Sequence, residues 1–279
     1  MQNKLYVISG AGLSAESGLS TFRSADGLWS KHSLERVCNF LTWKDNKEEV
    51  FAFYNARKKD GRNAVPNAAH LKLAEWQARY GADRVVLLTQ NVDMLLEQAG
   101  ATEVVHLHGD MEHMQCYGCG NVWNIGQAEF DVAGACPKCG CLRAVKPAVV
   151  FFNEHAPRYA SLKKMRDALT PDDIVLVVGS AMQVLPANQL IPSRRRDLSR
   201  NIQVNPDPAD AWYFGHNIAM PATAGLPHVE PLIEALMLGT KIPEDWTPPP
   251  LVGESIRPAS GDPAKRPSLS AFISKVLGG

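Results

Sequence analysis

Residues 4–15 read Lys4-Leu5-Tyr6-Val7-Ile8-Ser9-Gly10-Ala11-Gly12-Leu13-Ser14-Ala15, and this stretch decides the fold. Leu5 to Ile8 form a short apolar, β-prone run, and Ser9-Gly10-Ala11-Gly12 ends it, with a short helix to follow. Gly10, Gly12 and Ala15 then stand in the order G-x-G-x-x-G/A between strand and helix. In that context glycines let the backbone approach a pyrophosphate, and the N–H groups of the helix start receive the anion. No acidic residue about 20 positions on closes a second strand, so the loop is not that of an ordinary dehydrogenase.

The same alternation continues downstream. A helix is expected over 45–59, with Asp45 as N-cap, Glu48 and Glu49 in its first turn and Lys58 and Lys59 in its last. A second runs from Asn67 to about Tyr80, stopped by Gly81. Apolar runs at 84–89, 103–107, 149–152, 174–178 and 202–204 read as strands, with helical segments near 94–99, 158–169 and 231–238. Strands alternating with helices imply an α/β fold with a parallel sheet. Residues 112–141 interrupt it with a polar stretch of little periodicity, an inserted small module. From 240 the composition turns to proline, glycine, serine and mixed charge, a flexible tail with a short helix at 268–277.

The 279 residues carry 29 basic and 29 acidic side chains, a balance that argues against a dedicated nucleic-acid binder. Apolar runs such as 174–178 are too short to span a bilayer, and the first residues carry no signal-peptide pattern, so a cytoplasmic protein without a membrane partner is expected. Five of the six cysteines fall between 116 and 141, and clustering of that kind reads as metal before disulfide. Cys116-x2-Cys119 and, sixteen residues on, Cys136-x2-Cys139 are spaced for one tetrahedral zinc ion. Cys141 is near enough to compete with Cys139, and spacing favours Cys139. Four thiolates leave no open position, so the metal is structural. Cys38 stands apart with no role, and Arg194-Arg195-Arg196 reads as solvated surface.

Tyr54 and Arg57 lie at i and i+3 of the expected helix, so they share a face. A phenol beside a guanidinium fork makes a carboxylate receptor. His106 and His108, two residues apart, would face the same side of a strand.

Gly10 to Gly18 with Phe22-Arg23, Thr89-Gln90-Asn91-Val92-Asp93, His108-Gly109 and the cysteine pairs resemble the sirtuins in order and spacing, over roughly residues 4–238. The resemblance implies an NAD-dependent protein-lysine deacylase with a Rossmann-like domain (1–27, 61–111 and 146–239), a small zinc-binding domain (28–60 and 112–145) and a tail (240–279). It implies Asn91 and His108 as the catalytic pair. It places Gly10, Ala11, Gly12, Ser14, Ala15, Phe22, Arg23, Gln90, Asp93, Gly179, Ser180 and Asn205 against NAD. Tyr54 and Arg57, with Ala25 widening the pocket, are similar to the signature of bacterial class III (CobB-type) sirtuins, which remove succinyl, malonyl and related acyl groups and also acetyl. Val150 and Phe152 fall where those enzymes bind the substrate peptide. The partners implied are acyl-lysine proteins, met by a monomer. The family's Gly-Thr-Ser, Phe-Gly-Glu and Leu-Arg-Pro stand here as Gly179-Ser180-Ala181, Phe152-Asn153-Glu154 and Val145-Lys146-Pro147. Two rivals are an NAD glycohydrolase or ADP-ribosyltransferase on the same scaffold, motivated by Asn153, and a non-enzymatic binding module.

Overall fold

The computed structural model describes residues 2–21 and 34–249. Phe22, Arg23, Ala25 and the segment 250–279 lie outside the described residues. Strands β1 (Leu5–Ser9), β2 (Val85–Thr89), β3 (Val104–His106), β7 (Ile174–Val178), β8 (Asn201–Val204) and β9 (His216–Ile218) form a six-stranded sheet in the order β3-β2-β1-β7-β8-β9. Every pairing in it is parallel. All five residues of β1 and of β7 are buried, as strands covered on both faces must be.

Helices cover both faces. Helix α1 is one turn (Gly12–Ala15), and α2 (Leu34–Val37) and α3 (Lys47–Asn63) precede α4 (Ala68–Tyr80) and the short α5 (Leu95–Gln98). After them come α6 (Tyr159–Ala168), α7 (Ala187–Leu190) and α8 (Ala222–Leu238). Leu73 and Trp76 of α4 pack with Leu226, Val229 and Ile233 of α8 on one face. Leu162 and Met165 of α6 and Leu190 of α7 cover the other. Asn67 caps α4 by accepting from Ala69 and His70 N–H, and His70 Nδ1 accepts in return from Asn67 N–H, a capping box.

A second sheet stands apart. Strands β4 (Gly109–Cys116), β5 (Val122–Asn124) and β6 (Val145–Val149) pair antiparallel in the order β5-β4-β6. Here the structure departs from the sequence reading. The apolar run at 149–152 is not a strand of the parallel sheet. The strand is Val145–Val149, which pairs with β4 in the smaller sheet. That sheet straddles the expected boundaries at 111 and 145. Helix α3 starts at Lys47 after Asn46, and runs a turn past Lys59 until the extended Ala64 ahead of Pro66 ends it. Helix α8 begins nine residues earlier than expected, because Pro227 and Pro231 sit inside it while Leu226, Val229 and Leu232 hold it to the sheet. Arg194 and Arg195 are not idle surface. Arg194 donates to Arg166 and Asp167 carbonyls, and Arg195 to Thr170 O at 2.7 Å, tying down the end of α6.

Candidate active site

The strand order reverses between β1 and β7, and in open parallel sheets ligands bind off the carboxyl ends at such a point. Gly10-Ala11-Gly12 leaves β1 there beside Gly179-Ser180, which leaves β7. Gly12 N–H donates to Gly179 O at 2.8 Å. A Cβ at Gly10 would stand 2.8 Å from Gly179 O, and one at Gly179, whose φ is +61°, would stand 2.3 Å from Leu13 N. The two loops interlock on backbone alone, which is what these glycines are for. Ser180 Oγ accepts from Gln90 Nε2 at 3.1 Å, joining β2's end to the same rim.

Ser14 is the hub of the next layer. Its hydroxyl donates to Asp93 Oδ2 at 3.0 Å and accepts from Asn91 Nδ2 at 3.1 Å. His70 Nε2 lies 3.3 Å from the same oxygen. Since His70 Nδ1 accepts from Asn67 N–H, its proton is on Nε2 and it too donates to Ser14. Burial drives the His70 pKa down to about 4, which keeps the ring neutral in that role. Asp93 is pushed up by burial, opposed by Leu95 N–H and the Ser14 hydroxyl.

Two histidines, His106 at the end of β3 and His108 two residues on, have their pKa values moved in opposite directions. His106 Nδ1 faces Asn91 O at 3.0 Å and Nε2 faces Glu97 Oε1 at 2.7 Å. Both partners accept, so both nitrogens carry protons. Burial opposes the charge, but the bond to Glu97 and its carboxylate lift the pKa above the usual value. His108 Nδ1 faces Gln90 O at 2.9 Å, and Nε2 faces the Tyr159 hydroxyl at 2.8 Å. Burial lowers its pKa, with Gln90 O opposing. The carbonyl fixes the proton on Nδ1 and turns the basic nitrogen, Nε2, toward the cavity. Gly109 makes this turn possible: its φ is +76° and a Cβ would lie 1.8 Å from Ala148 O.

The far wall comes from α3 and the segment after β6. Tyr54 stacks on Phe151, rings 5.6 Å apart and 13° from parallel, and its hydroxyl lies 3.3 Å from Cys38 Sγ. Arg57 Nη2 reaches Ser20 O at 3.4 Å. Behind Phe151 the fully buried Lys146 ammonium sits 3.8 Å from that ring's centre and 3.1 Å from Glu154 Oε2. Glu154 also accepts from Phe151 N–H at 2.7 Å, and burial pushes its pKa up to about 7. Asn153 takes φ +62°, a left-handed conformation that asparagine tolerates better than most residues. Phe152 N–H donates to Cys38 O and its carbonyl accepts from Phe40 N–H, while Val150 N–H donates to His108 O.

One cavity of about 240 Å³ connects these walls, lined among others by Ala11, Ser14, Asn91, His108, Tyr54 and Arg57. It also takes in Gln90, Asp93, Val150 and Phe152. Asn205 is placed at the end of β8, where its Nδ2 donates to Asp207 O at 2.5 Å in a turn, and it does not line the cavity.

The small sheet carries the metal candidate. The Sγ atoms of Cys116, Cys119, Cys136 and Cys139 all lie within 4.8 Å of one another, with Cys116–Cys139 at 3.7 Å and Cys119–Cys136 at 3.6 Å. A zinc–sulfur bond of about 2.3 Å in a tetrahedron needs sulfurs about 3.8 Å apart, so the four fit that ion. Cys141 is outside the cluster and offers its backbone oxygen to Cys136 N–H.

Several site groups escaped the sequence. Tyr159 opens a helix and belongs to no motif. Ser14 and His70 meet across 56 positions, and only the Asn67-x-x-His70 spacing hints at the capping box. Cys38 and Lys146 find partners visible only after folding.

The parallel sheet with its glycine loop at the switch point, the small antiparallel sheet with its thiol cluster, and the cavity lined by Asn91 and His108 define the class of protein. The chain belongs to the Sir2 family, whose model matches residues 10–186. Among its relatives is an NAD-dependent protein deacylase of Helicobacter hepaticus, 36% identical over 255 residues, 84% of this chain and 99% of the relative. Another, of the same description from Escherichia coli, is 35% identical over 246 residues, 85% of each chain. A solved Sir2 homologue mutant in complex with ADP-ribose superposes with TM-score 0.71 at 30% identity, covering 87% of this chain and 96% of that one. A Sir2 homologue bound to NAD gives TM-score 0.68 at 30% identity, covering 84% and 91%. Among the described residues no helix is long and apolar enough to cross a membrane.

Proposed function

We propose that this Sir2-family chain is an NAD-dependent protein-lysine deacylase that accepts succinyl, malonyl and acetyl groups. One observation carries the reading: a single cavity is lined by Ala11 of the glycine loop, by Tyr54 and Arg57, and by His108 together with Asn91. Bound NAD would supply an electrophilic ribose carbon with nicotinamide as leaving group, so that acyl-lysine, NAD and water give free lysine, nicotinamide and O-acyl-ADP-ribose.

The protein's own residues do the rest. Gly10, Gly12 and Gly179 spend their own N–H groups on Val178, Gly179 and Val204 carbonyls, and their part is to let the two loops close without side chains beside Ala11, with Ser180 and Gln90 bonded at the same rim. Asn205, at the same carboxyl edge of the sheet, would hold the distal ribose. Asn91 and Asp93 are locked on Ser14, so each presents a fixed face to the cavity. His108, its proton held on Nδ1 by Gln90, takes a proton from a ribose hydroxyl at Nε2. Arg57 and the Tyr54 hydroxyl would receive an acyl carboxylate. Zinc among the four thiolates would fasten β4 to the 136–139 turn and take no part in the chemistry.

The test is mass spectrometry of acetyl- and succinyl-lysine peptides with NAD, wild type beside Arg57→Ala. Loss of succinyl turnover with acetyl turnover retained is the expected result, and equal effects on both overturn the carboxylate receptor. A second reading, NAD hydrolysis or ADP-ribosyl transfer, draws on Phe152: its backbone groups already bond Cys38 and Phe40. NAD cleavage at full rate without acyl-peptide would favour it.

A further inference from the structure

The first turn of α6 places Tyr159 over the cavity, half-buried, with its ring 5.8 Å from that of His108 and tilted by 43°. Gln90 O can only accept, so the imidazole proton is on Nδ1 and Nε2 holds a lone pair. The group 2.8 Å from that lone pair is the Tyr159 hydroxyl, which therefore donates to it. Burial pushes the phenol up to about 12, so it keeps its proton across the working range.

We propose that Tyr159 is a positioning residue that occupies the His108 Nε2 lone pair in the NAD-free protein and is displaced by the ribose hydroxyl that this nitrogen must deprotonate. The inference rests on the deacylase reading for the identity of the incoming hydroxyl. No bond is made or broken in the exchange: one O–H donor replaces another on the same nitrogen.

A donor on the lone pair stabilises the neutral ring, so the phenol lowers the basicity of His108 in the free enzyme only. The other ionisable groups that share the cavity are Cys38, Tyr54, Arg57, Asp60, Asp93 and Glu154. His106, the last residue of β3, is turned to Glu97 and Asn91. The ring's two nitrogens are bonded to Gln90 and Tyr159, so Tyr159 is the contact whose removal bears on Nε2 alone.

The experiment is Tyr159→Phe, which keeps the ring and removes the hydroxyl. In steady-state deacylation of an acetyl-lysine peptide, kcat/KM for NAD reports the free enzyme and kcat the bound one. The acid limb of kcat/KM should move up by about half a pH unit or more while that of kcat stays, and KM for NAD should fall about threefold. The second readout needs no activity. Imidazole 15N NMR, with His108→Gln to assign the resonance, should show His108 titrating higher in Tyr159→Phe than in wild type. That difference should vanish when ADP-ribose saturates both. An unchanged titration, a difference that survives ADP-ribose, or a fall in kcat with both limbs fixed overturns the proposal. An inactive wild type with the titration behaviour intact sinks the deacylase reading and leaves the hydrogen-bond exchange supported.

Discussion

The Tyr54 hydroxyl stands 3.3 Å from the Cys38 thiol, both of them buried in the wall of the cavity. The cysteine that stands apart in the sequence thus holds the phenol of the proposed acyl receptor. The bond joins α3 to the segment that pairs with Phe152, through Asn39 and Phe40. Cys38 has its own pKa raised by burial, which keeps it a thiol and a hydrogen-bonding partner rather than a nucleophile.

Cys38→Ala should therefore cost stability and selectivity together. A buried phenol left without its partner costs about 1–3 kcal/mol. The succinyl-over-acetyl ratio of kcat/KM should fall about fivefold, the value of one neutral hydrogen bond near 1 kcal/mol. Denaturant melts and peptide kinetics on the same protein check both, and Cys38→Ser should restore most of the ratio. Selectivity unchanged in the alanine variant would show that the thiol is mere filling.

Lys146 and Glu154 form a buried ion pair, 3.1 Å apart, with side chains 0% and 3% exposed. The pair fixes the 151–154 segment to β6, and Glu154 also bonds Phe151 N–H and Gln115. Lys146→Met leaves Glu154 buried without its cation, and since burial already pushes this carboxyl up to about 7 it takes up a proton near neutral pH, which limits the cost to about 1–3 kcal/mol. The double variant Lys146→Met with Glu154→Gln removes both charges and should recover more than half of that loss. A double-mutant cycle by urea unfolding measures it, and strictly additive losses would mean that the two groups do not interact.

The fold was readable because its deciding signals are local. Val85 to Thr89 and Ile174 to Val178 are short apolar runs that could only be buried strands, and Gly81 and Gly100 mark real helix ends at φ +93° and +101°. The small sheet was not readable. Val145–Val149 contains Lys146 and Pro147, and its partner β4 carries Asp110, Glu112 and His113, so neither alternates as an exposed strand would. Burial of Lys146 depends on Glu154 and the Phe151 ring, contacts that no period encodes. The prolines of α8 hid half of a helix for the opposite reason, since their local penalty is overridden by Leu226 and Val229 against the sheet. In the site, Gln90, Asn91, Asp93 and His108 could be picked out by motif and spacing and do line one cavity, whereas Tyr159 and His70 reach its lining residues only by where the chain returns.

His70 makes stability depend on acid. Burial holds it at about 4 in the folded chain, below the ordinary histidine value of 6.5, so between those values the unfolded chain binds more protons. Stability is full above pH 6.5 and falls as pH drops toward 4, by roughly 3 kcal/mol at most. His108 and His216, also lowered by burial, add slope of the same sign. His70→Gln keeps an acceptor at the capping-box position and cannot titrate. Urea unfolding across this range should show a shallower pH slope for the variant. An identical slope would remove His70 from the account.

The thiolate cluster makes the last prediction, and it separates two cysteines two residues apart. Four sulfurs at tetrahedral spacing hold β4, at Cys116, to the 136–139 turn, and the small sheet buries Cys116 and Cys136 in the same core as Trp43 and Phe53. Apolar packing alone cannot fix this module, because Val122 and Leu142 are exposed and the 126–144 segment has no regular element. A zinc ion held by these thiolates would therefore contribute folding energy directly. Elemental analysis should find one zinc per chain, retained in Cys141→Ser and lost in Cys139→Ser. Strong chelation should lower the melting temperature and abolish turnover together, since β6 leads directly into Val150 and Phe152 of the cavity wall. Zinc retained in Cys139→Ser but lost in Cys141→Ser would transfer the fourth ligand to Cys141, and a chelated protein with full activity would uncouple the module from the cleft.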